Sequence, residues 1–79
     1  MSPTVMLVGG YRSFFYSREE RRARVHVQHA AGEAKIWLEP KVELASVAGL
    51  SARRVRRAIH LVEAHHETIR AAWAEHFAG

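Results

Sequence analysis

Two rhythms of hydrophobic and polar residues run along the chain, and the change from one to the other near residue 50 divides it. Thr4 to Val8 is a short apolar run, Gly9-Gly10 follows, and Tyr11 to Tyr16 is rich in aromatics. Two strand-like runs joined by a glycine pair predict a tight hairpin, because both glycines accept the positive φ of a type I′ turn. Ser17 to Arg24 (SREERRAR) is polar and charged and reads as a loop. Arg24 to His29 then alternates as R-V-H-V-Q-H, and Ala34 to Glu39 as A-K-I-W-L-E, the period of two expected of half-buried strands. Ala30 to Glu33 makes a four-residue connection between them. Pro40 ends the ladder because it has no donor N–H, and Val42 to Leu44 adds a short edge strand.

From Ser51, a good N-cap, the period becomes helical. Val55, Ile59, Val62, His66, Ile69, Trp73 and Phe77 recur at intervals of three or four. The phase continues through Ala64-His65-His66, so one helix of about 26 residues, roughly 39 Å long, is expected rather than two. His66 falls inside the apolar stripe and reads as a satisfied core histidine. The fold class is therefore α+β: a small antiparallel sheet of two β-hairpins within residues 1–45, packed against a long C-terminal amphipathic helix over residues 51–78, in one domain of 79 residues. The predicted core is Val25, Val27, Ile36, Leu38, Val55, Ile59, Val62 and Ile69. Such a helix outreaches the sheet, so Trp73 and Phe77 at its far end are expected to be covered at an interface, in a homo-oligomer or a complex.

Composition narrows the setting. With no cysteine there is no disulfide framework and no thiolate metal site, which suits a reducing compartment. The opening MSPTVMLVGG lacks the basic n-region of a signal peptide, and no run approaches the roughly 18 apolar residues of a membrane span. A cytoplasmic protein that does not enter the membrane is expected. Lys and Arg number 12 against eight acids, a net charge of +4, and nearly all the cations are arginine while every acid is glutamate. Guanidinium forks match phosphate and carboxylate, so the excess points to an anionic partner, although +4 is also ordinary for a solubilising surface. Where the charges sit decides between these.

Two placements carry chemistry. Symmetrical pairing about the Ala30–Glu33 connection sets Trp37 opposite His26 and Glu39 opposite Arg24, and gathers Arg24, His26, Gln28, Lys35, Trp37 and Glu39 on one face. Such a face could stack a base on Trp37, hold a phosphate with Lys35 and Arg24, and move a proton through His26, as small ribonucleases do. The plain alternative is an Arg24–Glu39 ion pair beside a packed tryptophan. The second placement is the helix start, with Arg53, Arg54, Arg56, Arg57 and His60, of which Arg53, Arg56, Arg57 and His60 lie on the side away from the apolar stripe. No carboxylate stands three or four residues further on to neutralise the arginines. Cations there oppose the helix macrodipole by a few tenths of a kcal/mol each, which makes sense if an anion is bound. The histidines do not form a metal site: His26 and His29 point to opposite strand faces, and His65 and His66 diverge by about 100°. No cofactor is implied.

The segments TVMLVGGYRSFFYS, VHV, GEAKIWLEPKVELA, GLSARRVRRAI and LVEAHHETIRAAWAEHF resemble the small bacterial family known as domain of unknown function 4160 over nearly the whole chain. The resemblance implies a cytoplasmic protein often encoded beside a second small protein, of domain of unknown function 2442, an arrangement suggestive of a toxin–antitoxin module. It supplies no catalytic residue. Two positions depart from the family pattern. Ala23-Arg24-Val25-His26 keeps only the second histidine of a common Pro-His-x-His, and Arg54 stands where a glutamate would complete a capping box with Ser51. The expectation is thus a toxin-like component that binds or cleaves RNA. His26, Lys35 and Arg24 are its catalytic candidates, and Trp37, Arg53, Arg54, Arg56, Arg57 and His60 its RNA- or partner-binding candidates. An acidic small protein is the expected partner. The alternative is a non-catalytic antitoxin or adaptor that docks on a protein through its basic helix.

Overall fold

The computed structural model describes residues 4–15 and 22–77. Five strands, β1 (Thr4–Val8), β2 (Tyr11–Phe14), β3 (Arg24–His29), β4 (Gly32–Trp37) and β5 (Glu43–Ala48), form one antiparallel sheet in sequential order. Two helices follow, α1 (Ala52–Ala64) and α2 (His66–Phe77). The α+β class therefore holds, with a fuller sheet and a divided helix. Most of the expected Ser17–Arg24 loop lies outside the described residues.

Gly9 and Gly10 turn the first hairpin with φ of 57° and 81°, the positive values that glycine takes without steric cost. The second hairpin differs from expectation. Its turn is the two residues Ala30-Ala31, with Ala30 at φ 53°, and β4 begins at Gly32. Val27 therefore faces Ala34, His26 faces Lys35 and Arg24 faces Trp37. The register is two residues from the symmetrical one, so each side chain keeps its face while its cross-strand partner changes. Gly32 lies in the strand, not the turn, for a steric reason. A Cβ there would sit 2.4 Å from the Gly49 carbonyl oxygen, so the segment entering α1 can press on β4 only over a glycine.

Val25, Val27, Ala34, Ile36 and Leu38 form the buried face of the sheet, against Ala58, Leu61, Val62 and Ile69 of the helices. Burying a branched aliphatic side chain completely is worth about 1.5–3 kcal/mol, so this layer supplies much of the stability. Val55 and Ile59, expected in the core, are half-buried, and Ala58 and Leu61 take the innermost places. Beyond Pro40 a full strand forms over Glu43–Ala48, where only Val42–Leu44 was expected.

The helix does not run through. His65 leaves helical geometry at φ −116°, ψ 26°, and its N–H and ring Nδ1 both reach the Leu61 carbonyl, at 3.1 and 3.0 Å. His66 then donates Nε2–H to the Leu38 carbonyl at 3.0 Å, which ties the start of α2 to the end of β4. The stripe keeps its phase because the break is a single residue. Trp73 and Phe77 are half-buried against Phe15, with ring centroids at 5.5 and 6.2 Å.

Candidate nucleic-acid interface

Three turns of chain meet at one end of the sheet. The β1–β2 turn brings Gly9 and Tyr11, the end of β3 brings His29, and the first turns of α1 bring Arg53, Arg54, Arg56, Arg57 and His60. Together they line a cleft of about 440 Å³. Ser51 caps α1, its Oγ accepting the Arg54 N–H at 3.3 Å, and no acidic residue stands in the first turn. The four arginines and His60 are exposed, as expected for Arg53, Arg56, Arg57 and His60 from their side of the helix. Among the described residues no carboxylate lines the cleft or forms an ion pair with these arginines. The Arg54 guanidinium donates to the His29 ring, its Nη1 lying 2.9 Å from Nδ1 and 3.0 Å from Nε2. The contact holds Arg54 across the cleft against the end of β3. Tyr11 supports His29 in turn, with ring centroids 4.3 Å apart.

This arrangement can hold an anion at several points at once. The N-terminal end of a helix favours negative charge, and exposed guanidinium forks suit the paired oxygens of phosphate.

The outer face of the sheet holds the other candidates. His26 and Lys35 are directly opposite one another, and Arg24 is opposite Trp37. The expected Arg24–Glu39 pair does not form: Glu39 is paired with Arg70, and Arg22 donates Nε–H to its carbonyl at 2.9 Å. His26 is only 7% exposed, stacked on Phe14 at 5.6 Å and joined through Nδ1 to Glu33 Oε2 at 3.1 Å. Burial lowers its pKa, and the Glu33 carboxylate only partly opposes this, with Arg24 and Lys35 adding to the depression. The ring is therefore mostly neutral at neutral pH. Arg24 is 4% exposed, its guanidinium 5.6 Å from the Trp73 ring. Trp37 has the Arg22 guanidinium at 4.2 Å and the Lys35 ammonium at 4.8 Å from its centroid, so the protein's own cations already use its π surface.

Sequence reasoning missed His29, Tyr11, Glu33 and Ser46, which faces Lys35 on β5. Of these only His29 gave a usable signal, since its parity puts it on the helix side of β3. Glu33 was hidden by the misplaced turn, and Ser46 by the unexpected length of β5.

A family model for a domain of unknown function (DUF4160) matches residues 10–74, most of the chain. The chain belongs to this family. The matched span covers β2 to most of α2, and so includes every residue of the basic cleft except Gly9. No curated protein and no solved structure matches the chain. No helix among the described residues is long and apolar enough to cross a membrane.

Proposed function

We propose that this protein is an RNA-binding, toxin-like component of a two-protein bacterial module, and that it grips the RNA phosphate backbone in the cleft at the start of α1. One observation carries the reading: four arginines and His60 from the first turns of α1 meet His29 from the end of β3 in one cleft, with no carboxylate among the residues that line it. Gathering like charges costs stability unless an anion offsets it, and a polyanion offsets several at once. The expected acidic partner protein would take the same arginines and compete with RNA.

Binding is better supported than cleavage. A general acid or base must reach its proton, and His26 is buried, engaged with Glu33 and held in its neutral form. Lys35 and Arg24 lie beside it as phosphate-stabilising candidates, and the carboxylate that lines the same space, Glu33, is the one that already holds the His26 ring.

The test is the salt dependence of binding to a single-stranded RNA. Replacing Arg53, Arg56 and Arg57 with alanine is expected to weaken binding at least tenfold and to lower the slope of log K against log salt by about two. Thermal stability should stay unchanged or rise slightly. Growth arrest on expressing the chain alone should fade in the same variant and persist in His26→Ala. An unchanged slope in the triple variant would leave the arginines as plain surface.

A further inference from the structure

Among the described residues the sheet ends at β5, the last strand in its order, and β5 pairs there with β4 alone. Its free edge offers the unsatisfied N–H and C=O groups that invite another strand, and natural proteins guard such edges with lysine, proline or bulges. From Leu44 to Ala48 the strand reads LASVA, with neither charge nor proline, and Val47 is 44% exposed. Its one guard is a bulge at Ala45, between the Ser46–Lys35 and Leu44–Ile36 pairs.

That bulge also makes the strand complementary to itself. Without it, Leu44 and Val47 would fall on opposite faces. With it, both share the helix side, opposite the core residues Ile36 and Ala34. Glu43 and Ala48 share the outer side, opposite Trp37 and Glu33. Antiparallel pairing of β5 with its equivalent, about the midpoint between Ala45 and Ser46, therefore sets Leu44 against Val47 of a second copy on one face. On the other it sets Glu43 against Ala48. Every such pair joins residues of one face, and the only charge in the strand meets an alanine.

We infer that β5 is a docking edge for a second copy of this chain, making a two-fold dimer with a continuous ten-stranded sheet and all helices on one side. The inference does not depend on RNA binding. A strand pair of this length buries little surface, so the dimer is weak and concentration-dependent.

Sedimentation of the full chain from micromolar to millimolar concentration tests this. The expected result is a rise in mass towards twice the monomer. Val47→Lys and, separately, Ala48→Lys should abolish that rise while the thermal melt stays intact, since both positions are exposed. Leu7→Lys, on the opposite edge strand and 69% exposed in the parent, should leave it unchanged. A monomer at every concentration would overturn the proposal, whatever other proteins bind the edge. So would a dimer that survives both β5 substitutions, or one that Leu7→Lys alone removes.

Discussion

Arg24, His26 and Lys35 on the sheet and Arg53, Arg54, Arg56 and Arg57 at the start of α1 are similar chemistry in opposite settings. On the sheet the side chains are drawn inward, Lys35 less so than Arg24 and His26. Arg24 and His26 are buried, His26 is held by Glu33, and Trp37 is approached by Arg22 and Lys35. At the helix start the arginines are exposed, share a cleft with two histidines, and meet no carboxylate. A cation whose surroundings already balance it contributes to the fold, and its removal reads as lost stability. A cation without such balance costs the fold a little and gains its return only with a ligand. The comparison teaches that residue type does not separate a structural cluster from a binding one; the local charge balance does.

The largest expected effects test the support beneath both clusters. Phe15→Ala should cost about 3–5 kcal/mol in denaturant unfolding, because this 2%-exposed ring is what Trp73 and Phe77 of α2 pack on. A small loss would mean that α2 is held by something other than this aromatic contact. Gly32→Ala should cost about 1–3 kcal/mol, since the new Cβ would meet Gly49 backbone atoms at 2.4 and 2.6 Å. Gly49 leads into α1, so the same variant should also weaken RNA binding. Lost stability with full binding would detach the cleft from this contact.

The pH dependence sharpens the structural side. Burial holds the His26 pKa below its ordinary 6.5, so the unfolded chain takes up this proton first as pH falls. The stability tied to the neutral ring is complete above pH 6.5 and is lost as pH drops through the lowered folded-state value. Urea midpoints below pH 6.5 should therefore fall more steeply in the parent than in His26→Gln. Equal slopes would remove His26 from the structural cluster.

The smallest effect separates the clusters most cleanly. Arg54→Glu completes a capping box with Ser51 and puts an acid at the helix N-terminus, which should stabilise the fold by about 0.3–1 kcal/mol. RNA binding should weaken in the same variant, because the Arg54–His29 contact and one cleft cation both disappear. Parallel changes in stability and binding would contradict the distinction drawn between the two regions.

The sequence by itself determined what repeats locally. Alternation through 24–29 and 34–39 assigned Val25, Val27, Ile36 and Leu38 to the core, and helical spacing set Ile69 inside and the arginines outside, because side-chain direction follows the backbone period. Tertiary structure decided whatever depends on segments far apart in the chain. The approach of Gly49 to Gly32 accompanies the two-residue turn, and with it Lys35 rather than Trp37 faces His26. The hydrogen bond from His66 to Leu38 lies at the break that folds α2 back over the sheet. His29 and Tyr11 join the arginines only when the hairpins stand beside α1. No local period encodes these meetings, since each is a contact between surfaces that exist only after the strands have paired.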